Sequence, residues 1–202
     1  MLLEYLKSKY KVNQPIFITD INFPISEENL LQMLKELCEK DQIKEYDAGI
    51  YYIEGESRLK GGVSLSASEV ARCKYIEVDN IVKGYYSGYT FANQLGLTTQ
   101  VPFTIEIVSN VTNSVYEEVR LKNQKIILRK PRIPVTNENS RVLQLLDLLI
   151  NMDQYMDNDI DCASERIQYY ISERKISREE IDRYIDYYPK KIEKVLYEMG
   201  LF

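Results

Sequence analysis

The sequence predicts an α+β protein, and two patterns of apolar residues indicate it. Apolar side chains recur at helical spacing in the first and last thirds of the chain, as at Leu30, Met33, Leu34, Leu37 and Cys38. The middle third contains short runs in which apolar and polar side chains alternate, as they do in a half-buried strand. A chain of 202 residues is long enough for one domain of ordinary size or for two small ones.

Residues 1–58 are predicted to contain three helical elements followed by a hairpin. The elements are, in order, Leu2–Tyr10, Phe17–Ile21, the segment after Ser26, Ile43–Tyr46 and Gly49–Ile53. Ser26 is a helix-capping residue, and Glu27 and Glu28 after it suit the positive end of a helix dipole. The last two elements alternate like strands, and the turn residues between them give a hairpin. This order predicts a winged helix-turn-helix domain.

The third helical element of such a domain lies in the major groove of DNA, with its solvent-facing residues near the base edges. The apolar phase of this helix directs two amides and an ammonium group toward solvent. Amides can pair bidentately with adenine, and lysine can reach guanine or a phosphate. The predicted DNA contacts, including two on the hairpin, are Asn29, Gln32, Lys35, Lys44 and Tyr46.

An acidic balance favours a second hypothesis for the same domain. Glu28, Glu36 and Glu39 share the solvent-facing side of the third element, and residues 1–60 contain 8 basic and 11 acidic side chains. Lys and Arg contacts to phosphates supply much of the affinity for nucleic acid. The alternative is therefore a protein-interaction or dimerisation module that does not bind DNA.

Residues 59–135 are predicted to form an α/β domain after a linker over Arg58–Ser68. The segment Gly84–Pro102 has the sequence GYYSGYTFANQLGLTTQVP. Its Tyr89–Leu95 part has the length and composition of a short helix. Gly96 can end that helix in a left-handed conformation without a Cβ penalty, and a turn and a strand follow.

Three strand-like runs come after that segment: Phe103–Ser109, Val115–Leu121 and Lys125–Arg129. Short spacers rich in Asn, Ser and Thr separate them, which is typical of turns. Consecutive strands with short connections predict an antiparallel meander. Residues 61–135 contain 9 basic and 6 acidic side chains, whereas residues 136–202 contain 9 and 14.

This net-basic middle part is where we expect contacts with a partner. Adjacent tyrosines are good candidates for contact with a partner, since an aromatic ring buries a large area at a low entropy cost. A dense basic cluster could meet phosphate or an acidic protein surface. The predicted partner-binding residues are Tyr85, Tyr86, Gln100, Arg129, Lys130 and Arg132.

Residues 136–202 are predicted to form a helical C-terminal region. Apolar residues within 142–149 share one face of a helix, and Ser177 with Glu180 three residues later has the pattern of a capping box. The acidic stretch Met152–Asp161 lacks the central glycine and the terminal glutamate of an EF-hand loop. We therefore expect an acidic connection between helices and no calcium site.

Several kinds of active site are excluded by composition. The chain contains no histidine, which removes the commonest general base and metal ligand. Its three cysteines are far apart, and no glycine-rich loop has the lysine of a phosphate-binding motif. We expect no catalytic residue, no metal and no cofactor. An enzyme that uses tyrosines and carboxylates around Gly84–Pro102 is an alternative.

The sequence also predicts a cytoplasmic protein without a membrane partner. No apolar run approaches the roughly 20 residues that span a bilayer. The first residues, MLLEYLKSKY, do not have the layout of a signal peptide.

The segment GYYSGYTFANQLGLTTQVP, together with GIYYI at Gly49–Ile53, resembles the AbiEi-type antitoxins of bacterial abortive-infection toxin–antitoxin systems. The run LGLTTQVP, from Leu95 to Pro102, is the most specific part of the match, and the resemblance covers most of the chain. It implies an N-terminal winged helix-turn-helix that represses a shared promoter, and a nucleotidyltransferase-like toxin encoded next door. The expected partners are operator DNA, this toxin and, because dimerisation would double a small basic patch, a second copy of the chain.

Overall fold

The computed structural model of the protein describes residues 1–55, 65–78, 80–156 and 160–201. Within these ranges the chain combines helices with short β-sheets, which confirms the predicted α+β class. The chain divides into two compact units, Met1–Cys73 and Lys74–Phe202.

Among its described residues, the first unit contains three α-helices and a three-stranded antiparallel sheet. Its elements are, in chain order, α1 (Leu2–Lys9), β1 (Ile16–Phe17), a 3-10 turn (Ile18–Asp20), α2 (Glu27–Glu39), β2 (Lys44–Asp47), β3 (Ile50–Tyr52) and α3 (Ala67–Ala71). β1 pairs with β3, and β3 pairs with β2, so the strand order is β1-β3-β2. The first strand of the unit therefore lies beside the last, although α2 separates them in the chain.

α2 forms where the sequence predicts it and for the predicted reasons. Ser26 Oγ accepts a hydrogen bond from the Asn29 N–H at 3.4 Å, which confirms the cap. Leu30 and Leu34 are buried, and they pack in one apolar cluster with residues of α1, β1 and β3. The opposite side of α2 is mostly polar, with Leu31 as an exposed apolar residue.

The predicted hairpin also forms. The two-residue turn at 48–49 joins β2 to β3, and Gly49 has a φ of 72°, a conformation that residues with a Cβ rarely adopt. The pairing register shifts between Glu45 and Asp47, which is a β-bulge at Tyr46. After β3, most of the predicted linker Arg58–Ser68 lies outside the described residues. A π-helical turn, Arg72–Ile76, follows α3.

Among its described residues, the second unit contains six α-helices and a 3-10 helix (Ile185–Tyr187), together with a two-stranded and a four-stranded sheet. Its strands are β4 (Glu77–Val78), β5 (Ile81–Val82), β6 (Gly84–Tyr86), β7 (Thr104–Ser109), β8 (Glu117–Leu121) and β9 (Gln124–Arg129). Its helices are α4 (Gly88–Gln94), α5 (Ser140–Ile150), α6 (Met152–Tyr155), α7 (Ile160–Glu173), α8 (Arg178–Tyr184) and α9 (Lys191–Glu198). β4 pairs with β5 in a hairpin.

The four-stranded sheet has the order β6-β7-β9-β8, so the predicted antiparallel meander is wrong. β7 and β9 are parallel, and β8 is antiparallel to β9 at the edge. A meander would place β8 beside β7, but the turn at 122–123 returns the chain so that β9 lies between them. Composition explains this choice. The apolar run 126–128 suits a central strand, whereas β8, with Glu117, Glu118 and Arg120, suits an edge.

The helices of the second unit surround α5, the helix with the most buried apolar side chains. Its buried residues are Val142, Leu143, Leu145, Leu146, Leu148 and Leu149. They form one apolar cluster with Tyr85 of β6, Phe91 of α4, Val108 of β7, Ile181 of α8 and Ile192 of α9. Side chains from the predicted α/β domain and from the predicted helical region therefore share one core.

Candidate functional site

The exposed face of α2 presents three of the five predicted DNA contacts. Asn29, Gln32 and Lys35 are exposed, whereas Leu30 and Leu34 point into the core. The three polar residues are three positions apart, so their side chains follow one another along the helix. Two amides and an ammonium group in this row can form hydrogen bonds with base edges and meet a phosphate.

Carboxylates surround this polar row. Glu27, Glu28, Glu36 and Glu39 are exposed on the same helix, and the basic residue at its C-terminal end, Lys40, lies 3.8 Å from Glu36. A phosphate that approaches this face would meet more negative than positive charge. The face thus combines base-reading amides with a net negative charge.

The two predicted DNA contacts on the hairpin, Lys44 and Tyr46, are less available to DNA than the sequence predicts. Lys44 Nζ donates a hydrogen bond to Asp41 and lies 3.8 Å from Glu54 Oε2, and the bond to Asp41 raises the pKa of the Lys44 ammonium. Its charge is therefore already balanced by two carboxylates. Tyr46 is 6% exposed, and burial raises the pKa of its hydroxyl. The structure corrects the prediction for Tyr46: strand alternation exposes Glu45 and turns Tyr46 inward, so its ring is a core group.

The segment Gly84–Pro102 folds as predicted into a helix, a glycine stop and a turn. Gly96 has a φ of 71°, and its N–H donates to the Asn93 carbonyl at 2.9 Å. The Leu97 N–H donates to the Ala92 carbonyl at 2.9 Å, which completes a glycine-terminated helix end. The Asn93 side chain then donates to the Gln100 carbonyl at 3.0 Å and holds the turn.

The two adjacent tyrosines of this segment have different environments. Tyr85 is 4% exposed, and its hydroxyl hydrogen-bonds that of Tyr188. Burial, followed by the negative charge of Asp147, raises the pKa of Tyr85 well above its usual value. Tyr86 is half-buried, and its carbonyl accepts a hydrogen bond from Gln144 Nε2 at 2.8 Å. The prediction that Tyr85 contacts a partner is corrected, since a side chain in the core does not reach a protein surface.

Arg129 is also directed inward, where it connects the sheet to α5. Its Nη2 donates to Ser87 Oγ at 2.9 Å and lies 3.6 Å from Asp147 Oδ2 and 3.9 Å from Glu106 Oε2. Its Nε is buried and finds no acceptor among the described residues. Burial raises the pKa of the Asp147 carboxyl, and the charges of Arg129 and Arg132 oppose that rise. This largely half-buried group, Ser87, Glu106, Arg129 and Asp147, is named the polar bridge below.

The other two members of the predicted basic cluster remain at the surface. Lys130 and Arg132 are exposed, and the Arg132 guanidinium carbon lies 5.4 Å from the centre of the Tyr188 ring. The Lys130 N–H donates to the Ser114 carbonyl at 2.8 Å, which fixes the chain just after β9. The cluster is therefore divided, because Arg129 is the last residue of β9 and its side chain points to the helix-covered face of the sheet.

Gln100 is exposed beside a cavity of about 340 Å³. Two strongly exposed apolar side chains border this cavity, Val101 at 86% and Phe103 at 83%. Tyr89 and Glu106 also line it, so a tyrosine and a carboxylate converge there, as the enzymatic alternative requires. The Glu106 carboxylate already accepts a hydrogen bond from the Tyr89 N–H at 3.1 Å, which gives it a structural role.

The sequence analysis missed Glu106, Asp147 and Tyr188, although one of them carries a signal. Asp147 interrupts the apolar run LLDLLI of α5, and a carboxylate inside such a run predicts either a cation partner or a break in the buried face. Glu106 gives no comparable signal, because alternation places many charged residues within strands. Tyr188 is one of 17 tyrosines, and its position in the chain does not distinguish it.

Comparison with protein-family models finds none that matches this chain, and comparison with curated proteins finds no match either. Within the part of the chain that the structure describes, no cluster of three or more His, Cys, Asp or Glu side chains could hold a metal ion. No helix within the described ranges is long and apolar enough to cross a membrane.

Proposed function

We propose that this protein is an antitoxin-like transcriptional regulator of a toxin–antitoxin or phage-defence operon, acting in the cytoplasm. Its first unit binds operator DNA as a winged helix-turn-helix, and α2 is the helix that enters the major groove. The protein opposes a nucleotidyltransferase-like toxin. The resemblance of Gly84–Pro102 to the AbiEi-type antitoxins supports the choice of operon.

One observation carries the DNA-binding part of the proposal. A capped helix with exposed Asn29, Gln32 and Lys35 directly precedes a β-hairpin, and the hairpin pairs with a strand that lies before the helix. This order of elements is the one that winged-helix proteins use to present a recognition helix. Asn29 and Gln32 would read adenines, and Lys35 would contact guanine or a phosphate.

The predicted contacts with the toxin belong to the second unit. Of the six predicted residues, Gln100, Lys130 and Arg132 are exposed and Tyr86 is half-buried. These four remain our predicted toxin contacts. A Gln100→Ala variant should weaken capture of the neighbouring gene product without lowering the thermal stability of the protein.

The DNA-binding role is tested by fluorescence anisotropy with the duplex upstream of the protein's own gene, across a salt series. Lys35→Glu removes one phosphate contact, so it should weaken binding and lower the slope of log affinity against log salt by about 1. Lys191→Glu, on an exposed residue of α9, has the same change in charge and serves as the matched control. Equal binding of operator and unrelated duplexes at every salt concentration would remove the repressor role.

A second candidate function has its own supporting observation. The exposed carboxylates of α2, with Leu31 at 45% exposed beside them, form a mixed acidic and apolar face that fits a basic protein surface. In this alternative the first unit is a protein-interaction or dimerisation module and does not bind DNA.

A single substitution separates the two candidates because it moves them in opposite directions. Glu39→Lys places a cation in the last turn of α2, where the helix dipole tolerates it. Operator DNA should bind the variant more tightly, since a carboxylate that repels phosphate is replaced by an ammonium. A basic protein partner should bind the variant more weakly. Titration of each ligand into wild type and variant measures whether the affinity rises or falls.

A further inference from the structure

β8 is the outer strand of the four-stranded sheet, and among the described residues no other strand pairs with its edge away from β9. Its neighbour on one side is β9, and the pair Leu121–Gln124 closes a two-residue turn. In such a hairpin the residues that flank the turn exchange hydrogen bonds, and alternate residues then point away from the partner strand. The N–H and C=O groups of Glu118 and Arg120 therefore point outward, and among the described residues no backbone hydrogen bond reaches them.

The side chains at these two positions have opposite charges and are exposed. Glu118 accepts a hydrogen bond from the Tyr116 hydroxyl and lies 2.7 Å from Lys125 Nζ, which leaves acceptor sites on its carboxylate. Arg120 is different. Its cross-strand neighbour on β9 is Lys125, a like charge, and within the described residues no ion pair involves Arg120.

We infer that a second copy of this chain pairs with β8 through its own β8, in an antiparallel register centred on Val119. Only residues whose backbone groups point outward can exchange hydrogen bonds with a second copy, and these residues alternate along β8. A two-fold axis between two neighbouring residues would pair an outward residue with an inward one, so the axis must pass through a single residue. A centre at Glu118 would place two carboxylates together, and a centre at Arg120 would place two guanidinium groups together. A centre at Val119 places Glu118 of each copy opposite Arg120 of the other, twice by symmetry.

The same edge continues into exposed apolar residues that would extend the interface. Val115 is 72% exposed and Tyr116 is 55% exposed, directly before the strand. In the Val119 register they approach the turn that follows β8 in the other copy. Charged edge strands also serve to prevent association, so the complementarity of the two charges, rather than the free edge alone, identifies the second copy as the occupant.

The inference goes beyond the proposed function, and its test measures association without DNA or toxin. Sedimentation velocity over a micromolar concentration series should show a monomer–dimer equilibrium for the wild-type chain. Arg120→Glu places two glutamates opposite two others, so it should raise the dissociation constant about tenfold or more. Arg120→Lys should leave the dimer in place, and Lys191→Glu is the control for net charge alone.

Mixing two variants provides the decisive measurement. Arg120→Glu has two carboxylates on the edge and Glu118→Arg has two cations, so each variant should dimerise poorly alone. Together they restore both pairs, and a mixture should form the heterodimer preferentially, which native mass spectrometry distinguishes if one chain is isotope-labelled. Circular dichroism of each variant confirms that it is folded.

Three outcomes would overturn the inference: a wild-type chain that stays monomeric throughout the series, a dimer that Arg120→Glu does not weaken, or a mixture without preference for the heterodimer. If Glu118→Arg fails to fold because it lies beside Lys125, Arg120→Pro replaces it. Proline removes the outward N–H and leaves the β8–β9 hydrogen bonds intact, so it should also weaken the dimer. Loss of dimerisation would leave the DNA experiment unaffected, so the two proposals fail separately.

Discussion

The exposed face of α2 and the polar bridge beneath α5 both consist of polar and charged side chains, but they differ in exposure to solvent. On α2, Asn29, Gln32 and Lys35 face solvent next to several glutamates. At the polar bridge, Arg129 and Asp147 are half-buried in the second unit, and their charged groups lie 3.6 Å apart. The helix face follows from spacing along one helix, whereas the polar bridge joins residues from β7, β9, α5 and the cap position before α4. The spacing of residues along a helix predicts which of its side chains are exposed. It does not predict which residues from distant parts of the chain come into contact.

Truncation of the buried Tyr85 and of the exposed Gln32 should have very different effects on stability. We expect Tyr85→Ala to lower the free energy of unfolding by about 3–5 kcal/mol, because it leaves a cavity in the core and removes the hydroxyl that bonds Tyr188. Gln32→Ala should stay within about 0.5 kcal/mol of wild type. Urea denaturation of both variants measures the difference. A Tyr85→Ala protein of unchanged stability would return Tyr85 to the predicted partner contacts.

A glycine substitution tests the polar bridge at its Glu106 end. Gly88 has a φ of 55°, and a Cβ built on it would overlap the Glu106 carboxylate. Gly88→Ala should cost about 2 kcal/mol or more, from left-handed strain and from displacement of Glu106. Gly200 has a φ of 61° with no atom within 4 Å of an added Cβ, so Gly200→Ala should cost only the strain, about 1 kcal/mol. If Gly88→Ala and Gly200→Ala lose equal stability in thermal unfolding, the Glu106 side chain moves aside without an energetic cost.

Each unit has a helix that begins at a serine cap, as the sequence predicts. Ser26 accepts one hydrogen bond at 3.4 Å, whereas Ser177 and Glu180 form a reciprocal box with bonds of 3.0 and 3.2 Å. Ser26→Ala should cost about 1 kcal/mol and Ser177→Ala up to about 2 kcal/mol. Ser177→Thr retains the hydroxyl and controls for side-chain loss. A larger loss of stability for Ser26→Ala than for Ser177→Ala in chemical denaturation would contradict the expectation that the reciprocal box is the stronger cap.

The smallest expected effect is a pH dependence from the polar bridge, since Arg129 partly opposes the burial of Asp147. Burial raises the folded-state pKa of Asp147 above 3.8. The folded protein therefore holds this proton more tightly than the unfolded chain. The resulting stability is fully present below pH 3.8 and is lost as the pH rises through the raised pKa.

Asp147→Asn cannot titrate at this position, so it isolates the effect. The unfolding free energy of wild type minus that of Asp147→Asn should fall as the pH rises above 3.8, and urea titrations at several pH values measure it. The substitution Asp153→Asn, at an exposed carboxylate in α6, makes the same change of side chain and serves as the control. A difference for Asp147→Asn that rises with pH would mean that Arg129 dominates over burial.

The local elements could be predicted because short-range physics fixes them. Ser26 and Ser177 cap helices through bonds three residues away, and Gly96 ends α4 because its φ is accessible to glycine. The strand order could not be predicted in the same way. Short connections favour a meander, but the apolar composition of β9 favours the centre of the sheet, and burial outweighed chain adjacency.

The sequence by itself determined the α+β class, the positions of the caps and turns, and the polar face of α2, because each depends on residues within one or two turns of one another. The tertiary structure decided which predicted site residues are accessible. Tyr46, Tyr85 and Arg129 all carry groups suited to an interface, but Tyr46 and Tyr85 are buried, and half-buried Arg129 pairs with Asp147. Burial is a property of the whole packed core, so spacing along the chain leaves it undetermined.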